Sequence, residues 1–174
     1  MIRRNSHALA LFTAALAIVA SHAAAQSAPT VVYLVRHAEK ADDGADPALT
    51  AQGNTRAALL ADLLADAGIT HIHSSDFIRT RDTADPLAEL LGLQTLIYDP
   101  RDLPAMAAHL RNTPGRHLVS GHSNTTPRLV ELLGGDPHTS IDEPSEYDRL
   151  YIVTVLPEGG ASSVLLRYGD LFGG

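Results

Sequence analysis

Between residues 31 and 135 this chain alternates four times between a short strand-like run and a longer segment with helical periodicity. The short runs are VVYLV (31–35), ITHIHS (69–74), LQTLIY (93–98) and HLVSG (117–121). The first is continuously apolar and rich in β-branched residues, as is a strand buried on both faces of a parallel sheet. In the first helical segment Ala57, Leu60, Leu64 and Ala67 recur at helical spacing, with Thr50 as the cap and Gly68 as the stop. The second, 76–92, carries Pro86 and is expected to kink or restart there before Gly92 closes it. LPAMAAHLRN (103–112) is a third helix, and the fourth holds Pro127 in its first turn. Such alternation implies a mainly parallel sheet covered on both faces, an α/β fold in a three-layer α/β/α sandwich. The last segment differs: RLYIVTV (149–155), a turn at LPEGG and ASSVLLRY (161–168) predict a C-terminal antiparallel hairpin added to that sheet.

The first twenty-five residues stand apart. Arg3 and Arg4 precede an apolar run from Ala8 to Ala20, and small residues follow, ending in AAA at 23–25. This is the pattern of a secretory signal peptide over 1–25, with cleavage after Ala25 and a single domain over 26–174. The run is shorter than the roughly 20 residues of a spanning helix, and no second apolar span follows, so the mature chain is expected to be soluble and periplasmic or secreted. Cleavage removes Arg3 and Arg4 and no acid, taking the formal net charge from −7 to −9, which argues against a nucleic-acid partner. With no cysteine, an exported domain rests on its core alone.

Ligands of open α/β sheets collect beyond the carboxyl ends of the parallel strands. Three of the expected strands end in polar groups: Arg36 and His37 after the first, SSDFIRTR after the second, and SGHSNTT around His122 after the fourth. Arginine offers a planar fork of donors that stays charged, which suits a dianionic phosphoryl group better than it suits a metal. A neutral, oriented imidazole can be a nucleophile. Arg36 would then hold phosphate while His37 attacks phosphorus.

These residues resemble the histidine phosphatase superfamily, also called phosphoglycerate mutase-like, over residues 31 to about 170. LVRHAEK is similar to the Arg-His-Gly signature, with Ala38 where Gly is usual, as in some phosphohistidine-phosphatase-like members. SSDFIRTRDTA resembles the second element and points to Arg79, LVSGHSN resembles the strand carrying the second histidine, here His122, and LTAQGNTRA resembles the start of the first helix. The resemblance implies a covalent phosphohistidine on His37 that water hydrolyses. Arg36, Arg79 and His122 would surround the equatorial oxygens, and no metal or other cofactor would be required.

The expected activity is therefore that of an exported, metal-independent phosphomonoester hydrolase. Its substrate would be a small-molecule phosphomonoester or a phosphorylated peptide. A non-catalytic binder of phosphorylated ligands is the alternative. A phosphoglycerate-type mutase is disfavoured, because only Thr80 to Gly121 separates the second arginine from the second histidine. The general acid stays open among Asp102, Asp99, Glu39 and Glu143, or none. Lys40 reads as a solvated loop lysine and Arg81 as a helix-surface arginine paired with an acid. His71 and His73 would share one face of a strand, but without an evident third metal ligand they read as structural.

Overall fold

The structure, a computed structural model, describes residues 28–169; the leader read from the sequence lies outside them. Ten elements follow in order: β1 (Thr30–Arg36), α1 (Ala51–Leu64), β2 (His71–Ser75), α2 (Ile78–Leu91), β3 (Thr95–Tyr98), α3 (Leu103–Asn112), β4 (Arg116–Gly121), α4 (Thr125–Leu132), β5 (Arg149–Val155) and β6 (Ala161–Arg167). They build one six-stranded sheet in the order β3-β2-β4-β1-β5-β6. The first four strands of that order run parallel, and β5 and β6 add the antiparallel hairpin beside β1.

The buried central strand shows why helices cover both faces. Val32 and Leu34 of β1 enter one core with Met106 and Leu110 of α3 and Leu129 and Val130 of α4. Tyr33 and Val35 enter the other, with Leu60 and Leu64 of α1 and Leu87 and Ala88 of α2. Alternate side chains thus feed opposite layers. The helices after β1 and β4 leave on opposite faces, so these neighbouring strands open a crevice at their carboxyl ends.

The cap of α1 is as expected, with Thr50 Oγ1 accepting from the Gly53 amide at 2.9 Å, and Gly92 closes α2 at φ 65°. Pro86 does not restart α2, which is helical from Ile78 to Leu91. Thr83, Ala84, Leu87 and Ala88 on either side of it are all buried, and this packing outweighs the amide hydrogen bond that proline cannot donate. β3 is shorter than LQTLIY suggests; it is an edge strand, and Leu96 and Ile97 are exposed.

Candidate active site

The register of the two central strands assembles the site. Arg36 pairs with Gly121 across β1 and β4, and the amide of His37 donates to the Gly121 carbonyl at 2.9 Å. The residues just beyond each strand, His37 and His122, therefore stand side by side, with ring centroids 5.5 Å apart. Arg79 arrives on the first turn of α2. Phe77, at the N-cap of that helix, offers no side-chain cap, and Asp46 from the β1–α1 loop takes its place by accepting from the Ile78 amide at 2.8 Å.

Hydrogen bonding defines the state of each ring. His37 Nδ1 lies 2.7 Å from the Ala38 carbonyl. A carbonyl only accepts, so Nδ1 carries the proton and Nε2 keeps the lone pair. Burial, with lesser repulsion from Arg36, His122 and Arg79, lowers the His37 pKa to about 3, so the ring is neutral. His122 Nδ1 faces an Arg79 guanidinium nitrogen at 3.4 Å, which assigns its proton to Nε2, 2.9 Å from Ser75 Oγ. Burial and the two arginines hold its pKa at about 4.

The arginines are held by contacts that leave donors free. Arg36 is 1% exposed; its Nη1 donates to the Glu146 carbonyl at 3.0 Å, and its guanidinium sits 4.0 Å from the Tyr147 ring centre. Arg79 lies over Phe77 at 4.5 Å, and its Nη1 is 3.7 Å from Asp46, beyond hydrogen-bonding range. Nε and Nη2 of Arg36 and Nε and Nη1 of Arg79 are buried without a hydrogen-bond partner. Such donors are costly unless an acceptor meets them. A multidentate anion supplies what they lack.

Thr83 joins the two sequence motifs. Its hydroxyl accepts from the Ala38 amide at 2.9 Å and donates to the Arg79 carbonyl at 2.7 Å. The segment that orients His37 is thereby tied to the turn that carries Arg79.

His37, Arg79 and His122 line a cavity of about 480 Å³ together with Lys40, Phe77, Arg101, Asn124, Thr125 and Glu143. The structure thus gathers Arg36, His37, Arg79 and His122 at one place. It treats the other expectations differently. Asp102 caps α3 by accepting from the Ala105 amide at 3.1 Å, and Asp99 is engaged by the Arg101 amide and guanidinium. Both line a second cavity, with His73 and His109. Glu39 is committed to Arg56 in a bidentate pair at 2.7–3.0 Å. Glu143 is the carboxylate that lines the site.

Lys40 is not the solvated lysine expected. It forms part of the cavity wall, 2.9 Å from Asp43 and 3.8 Å from Glu143, and its backbone is fixed by an isolated β-bridge to Leu49. Arg81 pairs with Asp76 on the surface, as read. Sequence reasoning missed Asp46 and Tyr147: an acid in a polar loop and a tyrosine far along the chain carry no local signal of a contact made by folding.

A mainly parallel α/β sheet thus brings Arg36, His37 and His122 from the ends of its central strands together with Arg79 from the first turn of α2, a set of groups suited to a phosphoryl anion. A model of the histidine phosphatase superfamily (branch 1) matches residues 32–101, a stretch that includes Arg36, His37 and Arg79. Over 106 residues it is 41% identical to "Probable phosphoglycerate mutase GpmB" of Yersinia pestis (strain Pestoides F), covering 57% of this chain and 49% of the relative. Over 77 residues it is 44% identical to the protein of that name from Serratia proteamaculans (strain 568), covering 40% and 35%. The chain spans at most about half the length of these curated relatives. Among solved structures, the protein histidine phosphatase SixA complexed with tungstate aligns with a TM-score of 0.66 at 20% identity, over 79% of this chain and 96% of that one. The phosphoglycerate mutase of Bacillus anthracis str. Sterne aligns at 0.60 and 16%, over 83% and 95%. At these identities the likeness is one of fold.

Proposed function

We propose that the protein is an exported phosphatase that hydrolyses phosphomonoesters through a phosphohistidine on His37, without a metal in the phosphoryl-transfer step. The observation that carries this is the state of His37: neutral, protonated on Nδ1 toward Ala38, with its Nε2 lone pair available beside unpartnered arginine donors. Nε2 attacks phosphorus as the ester oxygen departs in line. The Nδ1–H bond persists through the step, so the phosphorylated ring is cationic and a good leaving group for the attack of water. Arg36 and Arg79 spread the charge of the equatorial oxygens in both steps, with donors oriented beforehand. A bound dianion also favours protonation of His122 at Nδ1, which turns that nitrogen into a further donor. Small-molecule esters and phosphorylated peptides both present this group.

The test is incubation of the protein, with EDTA present, with phosphomonoesters radiolabelled in the phosphoryl group. The expected result is a label on His37 that is stable in alkali and labile in acid, turnover to inorganic phosphate, and loss of both in a folded His37→Ala variant. Substantial turnover by that variant would overturn the mechanism. Label passing to a phosphoglycerate in place of water would mark a mutase, and tight binding without label a phospho-ligand binder.

A further inference from the structure

The leaving oxygen needs a proton when the departing alcohol is a poor acid, and the four carboxylates considered from the sequence do not compete equally for that task. Asp102 caps a helix, Asp99 is held by Arg101, and Glu39 is locked onto Arg56. Glu143 lines the cavity together with His37, Arg79 and His122. Its side chain is 62% exposed, at the mouth, and the ion contact it makes is a loose one, 3.8 Å from Lys40. Glu143 also acts electrostatically on both Arg36 and Arg79.

Its backbone is firmly placed. The loop between α4 and β5 is pinned on both sides of Glu143: Arg36 donates to the carbonyls of Asp142 and Glu146, the Asp142 amide donates to Glu146 Oε2 at 3.0 Å, and Arg149 binds the Thr139 carbonyl and the Glu146 carboxylate. The segment that seats the phosphate-binding Arg36 is therefore the one that carries Glu143. Glu143 contributes none of these anchoring bonds, so its side chain is free to serve chemistry.

We infer that Glu143 is the proton donor to the leaving oxygen, an inference that rests on the hydrolase reading above. In the first step the His37 Nε2–P bond forms, the P–O bond to the alcohol breaks, and the proton of the Glu143 carboxyl passes to the departing oxygen. The product is a neutral alcohol, a Glu143 carboxylate and a phosphorylated His37. In the second step that carboxylate takes a proton from water as the water oxygen bonds to phosphorus and the P–N bond breaks, which restores both groups.

The experiment compares Glu143→Gln with the wild-type protein on an alkyl phosphate, glycerol phosphate, and on para-nitrophenyl phosphate, whose leaving group departs without a proton. The alkyl ester should lose kcat/KM by ~10²-fold and the aryl ester far less, as for the removal of a general acid. Equal losses on both esters, or less than about a twofold loss on the alkyl ester, would overturn the assignment. A wild-type protein that neither turns over an ester nor labels His37 would remove the hydrolase reading and this one with it. That outcome is distinct, because failure of Glu143 alone leaves the wild type active.

Discussion

Arg79 and Arg81 stand two residues apart on α2, and their surroundings give them opposite tasks. Arg79 is 14% exposed with two buried nitrogens that lack partners. Arg81 reaches outward to Asp76 and is a surface ion pair of small energetic worth. Arg79→Ala should lower kcat/KM by ~10²-fold or more, the loss expected on removing a preorganised donor. Arg79→Lys should recover part of it, because an ammonium keeps the charge and loses the planar grip. Arg81→Ala should change little. Steady-state kinetics on the three folded variants, with circular dichroism as the check, decides this; a damaging Arg81→Ala beside a mild Arg79→Ala would show that the phosphate is held elsewhere. Arg36 and His37 were legible in the sequence because an apolar strand stops abruptly at two polar residues. Glu143 was one open candidate among several carboxylates, because nothing near it in the chain singles it out, and the loop that presents it is pinned by Arg36 and Arg149.

At the scale of elements, β2 and β4 carry a feature that the alternating His71 and His73 only hinted at. Residues 71 and 117 are register partners, and the rings of His71, His73 and His117 stack with centroids 4.6–6.3 Å apart, while His109 of α3 meets His73 edge-on. Among the described residues no group of three or more histidines or acids is arranged to hold a metal ion. The bonds are instead a neutral relay: His117 Nε2 donates to the Thr113 carbonyl at 2.9 Å and its Nδ1 accepts from His73 Nε2 at 3.1 Å. Burial, with repulsion among the rings, holds His73 at about 3 and His117 at about 4, well below the ordinary 6.5. Protonating His117 would set two donors face to face. Above pH ~6.5 both the folded and the unfolded chain hold these rings neutral; as pH falls from there toward ~4 and ~3 the unfolded chain takes up protons that the folded one refuses, and stability declines. The urea midpoint should drop between pH ~7.5 and ~5, and His117→Gln should flatten that drop. An unchanged wild-type midpoint over that interval would show that the rings do not control acid stability. His37 and His122, held at about 3 and about 4, contribute to the drop with the same sign, so the share of the relay is the difference between the wild type and His117→Gln.

For the molecule as a whole, export would remove the leader and leave about 149 residues without cysteine and with a formal charge of −9. A chain of that length buries enough surface to fold on its cores alone. The two apolar layers, one under α1 and α2 and the other under α3 and α4, meet that requirement on opposite faces of one sheet. If the leader is cleaved after Ala25, the protein recovered from the periplasm or culture medium should begin at Gln26. N-terminal sequencing of that material checks this, and an intact Met1 on the exported protein would replace the cleaved leader with an anchor.

What the sequence determined by itself was everything that depends on neighbours along the chain. The period of the apolar residues, the Thr50 cap and the Gly92 stop are local energies, and they sufficed for the number, order and type of the elements. The polar strand ends followed from the same logic, since a buried strand does not end in Arg36 and His37 without a use for them. The tertiary structure alone decided what depends on register and on crossing the sheet. Placing β4 beside β1 sets His122 next to His37, Asp46 reaches over to cap α2 and approach Arg79, and Tyr147 stacks on Arg36 from more than a hundred residues away. Pro86 shows the boundary between the two: its local preference to break a helix is real, and the burial of the residues around it overrides that preference. Local propensities are worth tenths of a kcal/mol to a few kcal/mol per residue, whereas a packed face sums many contacts. Elements can therefore be read from neighbours, while the site, made of single contacts between distant residues, exists only once the sheet has formed.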